Sequence, residues 1–403
     1  MSRTMKMLSS VTLLFVVFII QSVQVCGAAS DSVTIGIVES ERFPYAAMMK
    51  NSFAMALEVI NQGGGIKGKP LKLVYADDQG DQRAGVQALR KLAREKDIAM
   101  FVGGYSSSNT VYTTAEADQL DIPFLVTTAA DDRITQRKMP NVYRLNPPVN
   151  DYAKGLEVMM LSTIKPASVA IVYENSPFGT GAALRMMWFC REHDIGIGKM
   201  LSYHRERREP SYFKNLVKPL TQNQPDAIYM ISYLNDGALL VKTIRESGIG
   251  SLLLGGAGGF THYKFPGKAG NAADKLVTAT LWTREMPYAG TRQYFDQYTH
   301  EHGSAPDYHG AEAYSALLVA ADALTRAASL KPKDVRAALD NTRMETPFGP
   351  VHFTSYEKYQ RQNSLPTMVL QVIDGNFQFV WPEDVATARF VPPSGWKSSG
   401  KTE

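Results

Sequence analysis

The chain has 403 residues, of which 44% are hydrophobic and 20% are charged. This composition is that of an ordinary globular protein with roughly two to three domains, and it excludes a disordered chain, a collagen-like chain and a multi-span membrane protein. Lys and Arg together number 43 and Asp and Glu 39, a net charge of +4, so the charge gives no reason to propose nucleic acid as a partner.

The first 29 residues have the three-part pattern of a secretory signal peptide. Arg3 and Lys6 form a positive start, residues 11–20 are apolar apart from one threonine, and small residues follow at the spacing of a cleavage site. We therefore predict cleavage near Ala28 or Ala29 and an exported, periplasmic mature protein.

Two other interpretations of this segment have less support. An uncleaved membrane anchor would need about 20 apolar residues, and this run is shorter. A lipoprotein would use Cys26 as the lipidated residue, but Val25 before it is not small. Cleavage at the predicted position leaves Cys190 as the one thiol of the mature chain, and its apolar surroundings favour a buried residue over a nucleophile.

After this segment, strands and helices alternate in two successive runs. Apolar residues at spacings of three and four indicate helices, and short apolar runs bounded by turn residues indicate buried strands. The first run predicts strands over 32–38, 71–75, 98–102, 124–126 and 142–145, with helices over 45–61, 82–95 and from 107 or 108 to 120. The second predicts strands over 168–173, 199–203, 227–232 and 252–254, with helices over 152–163, 181–192, 212–220 and 236–246.

The tail of the chain has a different pattern. Helices are predicted over 292–302, 310–328 and 333–339. Two strands, 367–373 and 376–381, flank Asp374-Gly375, which is a two-residue hairpin signal. Repeated strand–helix alternation in two runs predicts an α/β protein with two doubly wound, mostly parallel sheets covered by helices on both faces.

In such sheets, ligands bind at the carboxyl ends of the strands. In the first run, the third strand is followed by a segment rich in glycine and hydroxyl residues, 103–110, and the fourth by Thr127 and Thr128. In the second run, Phe178 and Tyr233 follow strands. Hydroxyl groups and free amides at a helix start favour an anion such as a carboxylate. The sequence therefore predicts a small-molecule cleft between two domains, although a simple capping loop explains 103–110 equally well.

The order of several segments resembles the periplasmic solute-binding proteins of the leucine/isoleucine/valine-binding type. The segments are Ala56-Leu57-Glu58-Val59-Ile60-Asn61, Gly64-Gly65-Ile66-Lys67-Gly68, Gly104-Tyr105-Ser106-Ser107-Ser108, Ile122-Pro123-Phe124-Leu125, Phe178-Gly179-Thr180-Gly181 and Pro306-Asp307-Tyr308. The resemblance covers about residues 32–385. It implies two lobes joined by three crossovers, the type I fold. Lobe one would be 30–147 with 278–349, and lobe two 148–277 with 350–403.

The resemblance also implies a set of ligand-binding residues. In the family, hydroxyl groups after the third and fourth strands hold the ligand carboxylate, and aromatic residues from both lobes cover the ligand. The matching positions in this chain are Tyr45, Ser107, Ser108, Thr127, Thr128, Ala130, Phe178 and Tyr233.

One position departs from the family pattern. An acid often follows the strand near 254 and pairs with the ligand's amino group, but this chain has Ala257 there. Burying an ammonium without a partner is costly, so an α-amino acid ligand is in doubt unless Glu39, Glu174 or Asp236 substitutes.

Enzyme and metal signals are weak. Gly179 and Gly181 follow a strand, but Leu184 stands where a dinucleotide fingerprint needs a small residue. The His300-Glu301-His302 cluster projects in several directions from a helix, which favours a solvated helix end over a metal site. The charged segment 205–209 is predicted to be an exposed loop. We expect no cofactor and no metal.

The prediction is therefore a non-enzymatic, monomeric binding protein. It would capture a small carboxylate-bearing solute, amino-acid-like or an aromatic or aliphatic acid, by hinge closure. It would then deliver that solute to the permease subunits of an ABC importer. A ligand-sensing module for a membrane receptor or kinase is the alternative, and an exported enzyme on the same fold is a third possibility.

Overall fold

The computed structural model describes residues 32–207 and 209–396. The predicted signal peptide and its cleavage site lie outside these residues. Within the described part of the chain, no helix is both long enough and apolar enough to cross a membrane.

Sixteen strands and twelve helices follow one another in the described residues. The strands are β1 Val33–Glu39, β2 Leu71–Asp77, β3 Ile98–Gly103, β4 Phe124–Val126, β5 Val142–Arg144, β6 Ser168–Glu174, β7 Gly196–Tyr203, β8 Ala227–Ile231, β9 Leu252–Gly255, β10 Val277–Thr280, β11 Met344–Thr346, β12 Gly349–Val351, β13 Thr354–Tyr356, β14 Tyr359–Gln362, β15 Met368–Ile373 and β16 Asn376–Trp381. The helices are α1 Ala46–Gln62, α2 Gln82–Glu95, α3 Ser107–Gln119, α4 Arg133–Gln136, α5 Lys154–Met159, α6 Pro177–Glu192, α7 Pro210–Val217, α8 Leu234–Glu246, α9 Phe265–Ala269, α10 Thr291–His302, α11 Tyr308–Arg326 and α12 Pro332–Asp340.

The strands form two seven-stranded sheets and one short hairpin. The first sheet has the order β13-β14-β5-β4-β3-β1-β2, and the second has the order β16-β15-β10-β9-β8-β6-β7. In each sheet the five strands at the β2 or β7 end pair in parallel, and the antiparallel pairs lie at the opposite edge. The predicted fold class, two doubly wound sheets of an α/β protein, is confirmed.

The chain passes between the two sheets three times, after β5, after β10 and after β14. The positions of two crossings differ from the predicted lobe boundaries. Strand β10 belongs to the second sheet, whereas the boundary at 278 would place its residues 278–280 in lobe one. Strands β13 and β14 belong to the first sheet, where Gln362 pairs with Arg144 of β5, whereas the boundary at 350 would place them in lobe two. A division that follows the sheets therefore ends the last first-sheet segment after residue 362.

Local sequence explains why the elements begin and end where they do. Asp81 caps α2 by accepting hydrogen bonds from the backbone N–H groups of Arg83 and Ala84, both at 2.9 Å. In the first sheet, Gly36 leaves room for the ring of Phe101, which would lie 2.4 Å from a Cβ atom at that position.

Two helices next to the site described below differ most from their predicted extents. Helix α6 begins at Pro177 rather than at 181, because Ser176 caps it and proline is favoured in the first turn. The predicted helix 152–163 is a short α-helix, α5, followed by one π-helical segment from Met160 to Ile164.

Candidate functional site

A small cavity of about 20 Å³ lies between the carboxyl ends of the two sheets. Loops from both sheets and the start of α11 form its walls. The lining residues are Tyr105, Ser107, Thr128, Ala130, Tyr152, Phe178, Tyr233, Gly258, Tyr308 and His309. The mixture of a few hydroxyl groups with many aromatic rings is typical of a small-molecule site.

On the side of the first sheet, Ser107 joins two loops. It is the first residue of α3, and its hydroxyl oxygen accepts hydrogen bonds from the backbone N–H groups of Ala130 (3.1 Å) and Asp131 (3.2 Å). The helix start is thereby fixed against the loop that follows β4. The first N–H groups of a helix have no partner within it, so this end of the cavity favours a negative charge.

A buried arginine supports the same loop from behind. Arg144 has no exposed surface and donates to the carbonyl oxygens of Ala129 and Asp131, at 3.3 and 2.8 Å. Its Nε donates to Gln362 at 2.7 Å. The fixed positive charge of Arg144 therefore lies directly behind the segment that carries Thr128 and Ala130.

On the side of the second sheet, Phe178 and Tyr233 stand at the starts of α6 and α8, with ring centroids 5.9 Å apart. The α8 start is closed by Asp236, which accepts from the backbone N–H of Tyr233 (3.3 Å) and from the hydroxyl of Tyr203 (2.6 Å). These capping contacts fix the aromatic wall opposite the hydroxyl groups of the first sheet.

Tyr45 links the two sides. It is the N-terminal cap residue of α1, it is completely buried, and its hydroxyl donates to the carbonyl oxygen of Gly258 at 3.0 Å. Its ring stacks on the imidazole of His309, with centroids 3.7 Å apart. His309 is in turn stacked on Tyr308, at 4.0 Å. Tyr45 therefore connects a first-sheet helix to the second-sheet loop after β9.

Outside the cavity, Arg205 lies over two rings. Its guanidinium carbon is 5.1 Å from the ring centre of Tyr233 and 5.8 Å from that of Phe43, so it bridges the two sides of the cleft. The prediction that 205–209 forms a simply exposed loop is therefore wrong for Arg205, whose side chain is 26% exposed. The aliphatic part of an arginine packs on aromatic faces, which a charge count does not reveal.

Several carboxyl groups lie one layer behind the walls. Burial raises the pKa of Glu39 and of Glu312 well above the usual range, and neighbouring acids add to the shift. The Thr128 hydroxyl lies beside Glu312 and opposes part of that shift, although neither group reaches full hydrogen-bond geometry. Burial also raises the pKa of Asp236 to about 6.

The three acids considered as substitutes at Ala257 are engaged elsewhere. Glu174 accepts from Ser176 and from the backbone N–H of Gly179, and Asp236 caps α8. Glu39 is half-buried beside the backbone of Gly104 and does not line the cavity. Ala257 itself is buried with φ 59°, so no carboxylate reaches the cavity from that position.

The structure brings five of the nine predicted residues to the cavity wall: Ser107, Thr128, Ala130, Phe178 and Tyr233. Tyr45 lies against the wall residue His309. Ser108, Thr127 and Ala257 do not line the cavity. The sequence analysis missed Tyr105, Tyr152, Tyr308 and His309. Tyr105 and Tyr308 stand within segments that carry the family resemblance but were not assigned to the site, whereas His309 follows no parallel strand and gave no signal.

A sequence model described as periplasmic binding protein matches residues 32–376. Among curated proteins, the chain is similar to Leu/Ile/Val-binding protein homolog 7 of Brucella melitensis. The two are 25% identical over 356 residues, 84% of this chain and 88% of the relative.

Solved structures have the same fold. One is the branched-chain amino acid transporter substrate-binding protein LivJ of Streptococcus pneumoniae in complex with isoleucine. It has a TM-score of 0.76 and 18% identity, covering 86% of this chain and 97% of that one. Another is the solute-binding protein of an ABC transporter from Rhodopseudomonas palustris in complex with 3,4-dihydroxybenzoic acid. It has a TM-score of 0.76 and 18% identity, covering 92% of this chain and 100% of that one.

Proposed function

Because the chain belongs to the periplasmic binding protein family, whose members bind solutes and are not enzymes, we propose that it captures a small carboxylate-bearing organic solute and delivers it to an ABC importer. The observation that carries this proposal is the cavity between the two sheets, with hydroxyl groups and a helix start on one side and aromatic rings on the other. The family is extracytoplasmic, in agreement with the signal peptide predicted from the sequence.

The polar side of the cavity suits the carboxylate. Thr128 offers a hydroxyl group, α3 offers backbone N–H groups at its start, and Arg144 places a positive charge behind the loop. A carboxylate at this point exchanges its hydration for fixed donors and a favourable helix dipole. The aromatic side suits an apolar or planar body, as in the isoleucine and dihydroxybenzoate complexes of the two solved structures.

The proposed mechanism is hinge closure. The three crossings between the sheets supply the hinge, and the walls of the cavity come from both sides of it. A ligand that contacts both sides stabilises the closed arrangement over an open one. The closed form then presents a surface that the permease recognises.

Calorimetry with four probes tests the ligand class: leucine, 4-methylpentanoate, benzoate and 3,4-dihydroxybenzoate. Mass spectrometry of any small molecule that copurifies with the protein complements it.

Thr128→Val removes one hydroxyl at nearly constant shape and should weaken binding of a carboxylate about ten- to a hundredfold. Thr299→Val, on α10, is the matched control, because its hydroxyl donates only to the carbonyl of Phe295. Equal affinities in both variants would place the carboxylate elsewhere.

Export and delivery have their own tests. N-terminal sequencing of the exported protein should begin within a residue or two of Ala28 or Ala29, and an intact Met1 would contradict the signal peptide. Reconstituted importer in vesicles should take up the identified solute only when this protein is added.

A further inference from the structure

We propose that His309, held by Asp307, contacts the bound solute through its Nε2 atom and accepts a hydrogen bond from it. The preferred ligand then carries, besides its carboxylate, an amine or hydroxyl donor. The inference rests on the proposed function and goes further by naming the second polar group of the ligand.

His309 is fixed in position at the cavity wall. Its ring lies between those of Tyr45 and Tyr308, with centroids 3.7 and 4.0 Å away and interplanar angles of 26° and 24°. Only 2% of its surface is exposed. A ring held on both faces cannot turn, so its two nitrogen atoms have defined directions.

The nitrogen that faces away from the ligand is assigned by Asp307. Nδ1 lies 2.9 Å from Oδ1 of Asp307, and the same oxygen accepts from the backbone N–H of His309 at 3.0 Å. A carboxylate oxygen only accepts hydrogen bonds, so Nδ1 carries the proton. In the tautomer with the proton on Nδ1, Nε2 carries the lone pair and accepts a hydrogen bond, and within the described residues the one hydrogen bond of the ring is that of Nδ1.

The pair supplies negative charge to the cavity wall. Asp307 is 8% exposed, and its second oxygen, Oδ2, is buried without a hydrogen-bond partner. Across the described chain, Asp307 forms an ion pair with no lysine or arginine, and its one such contact is with His309. A donor group of the ligand at Nε2 is therefore stabilised by the carboxylate of Asp307, which is hydrogen-bonded to the other nitrogen of the same ring.

The pair also fills the role that Ala257 leaves open. The carboxyl oxygens of Glu174 and Asp236 accept hydrogen bonds at the starts of helices, and Glu312 lies behind Thr128. The Asp307–His309 pair, by contrast, reaches the cavity wall through His309. A ligand ammonium or hydroxyl that would be costly to bury opposite Ala257 has an acceptor at His309 instead.

Two matched probe pairs test the inference. Leucine differs from 4-methylpentanoate by an amine, and 3,4-dihydroxybenzoate differs from benzoate by hydroxyl groups. We expect calorimetry to show that one donor-bearing acid binds about tenfold or more tightly than its partner. The pair that shows this preference identifies the donor as amine or hydroxyl.

Variants assign the preference to His309. His309→Phe keeps a stacked ring and removes both nitrogens, so the preference should fall to within about twofold, while His309→Gln, with an amide oxygen, should restore part of it. Asp307→Asn should reduce an amine preference more than a hydroxyl preference. His300→Gln, exposed near the end of α10, is the control and should leave it unchanged.

The outcomes separate this inference from the proposed function. If the acids bind and Thr128→Val weakens them, but donors make no difference or His309→Phe keeps the preference, the inference is overturned and the proposed function stands. If none of the four acids binds to the folded protein, both are overturned.

Discussion

The hydrogen bond from Tyr45 to Gly258 offers a direct measure of what holds the two sides of the cleft together. Tyr45→Phe removes one hydroxyl group and keeps the ring on which His309 stacks. The carbonyl oxygen of Gly258 also accepts from the hydroxyl of Thr261 at 3.0 Å, so the variant leaves no unpartnered acceptor. The change therefore isolates one contact across the cleft.

The magnitude follows from the geometry. A neutral hydrogen bond of ordinary length contributes about 1 kcal/mol net, and the remaining Thr261 bond keeps the penalty at this lower end. The ratio of closed to open protein should therefore fall about fivefold. If the solute binds only the closed form and the free protein is mostly open, the apparent dissociation constant rises by the same factor.

Small-angle scattering and calorimetry on the same samples measure both quantities. The free variant should have a radius of gyration equal to or larger than that of the free wild type, and the two should agree at saturating ligand. Tyr112→Phe on α3, 49% exposed, is the control. Unchanged affinity and scattering would refute the reasoning, and a loss above a hundredfold would mean that the Tyr45 hydroxyl contacts the ligand directly.

Three further predictions concern stability. Burial lowers the pKa of His262 from 6.5 to about 4. Its contribution to folding stability is therefore present above pH 6.5 and lost as the pH falls toward 4. In urea unfolding over that pH range, the free energy of unfolding of His262→Gln should fall by up to about 3 kcal/mol less than that of the wild type. The pH dependence from Asp236 has the opposite sign, since burial raises its pKa from 3.8 to about 6. Its contribution to folding stability is present below pH 3.8 and lost as the pH rises through 6. Asp236→Asn should make this fall in the free energy of unfolding smaller. Gly259→Ala would bring a Cβ atom within 2.1 Å of the Tyr233 backbone and should lower the free energy of unfolding by about 1–3 kcal/mol or more, whereas Gly267→Ala, with no atom within 4 Å, should not.

Each of these three predictions can be contradicted by a specific result. Stability curves of the His262 or Asp236 variant that run parallel to the wild type from pH 4 to 7.5 would mean that the titration of that residue is not linked to folding. Equal unfolding midpoints for the two glycine variants would mean that the loop after β9 moves aside freely.

The fold and half of the site could be predicted because parallel strands place their carboxyl ends at one edge. Ser107 and Thr128 follow neighbouring strands, so their meeting at the cavity needs only the strand order. His309 could not be found in this way, since it follows no strand and reaches the cavity from the start of α11. Arg144 was hidden as well, because an arginine at the end of a short strand gives no sign that its side chain turns inward.

The two short strands that the chain adds to the first sheet on its return were missed for a related reason. Strands β13 and β14 have three and four residues, and β14 meets β5 through the single pair Gln362 and Arg144. A pairing of that length leaves almost no alternation to detect. Its importance is electrostatic, since Gln362 accepts the hydrogen bond from Nε of Arg144 and so helps to hold a buried charge beside the site.

The charges around the cavity lie one layer behind its walls, and this arrangement determines which ligand charge is tolerated. Arg144 and the start of α3 place positive potential behind Thr128, while burial raises the pKa of Glu39 and of Glu312, which reduces the opposition of these acids to an anion. Interactions across such a buried wall are stronger than in water. In the proposed function, a carboxylate therefore binds at the Thr128 end. By the inference above, a donor group binds at the His309 end, where Asp307 forms no ion pair with a lysine or arginine of the described residues. A solute that carries both groups satisfies both ends at once, and one that carries the carboxylate alone leaves the lone pair of Nε2 unpaired.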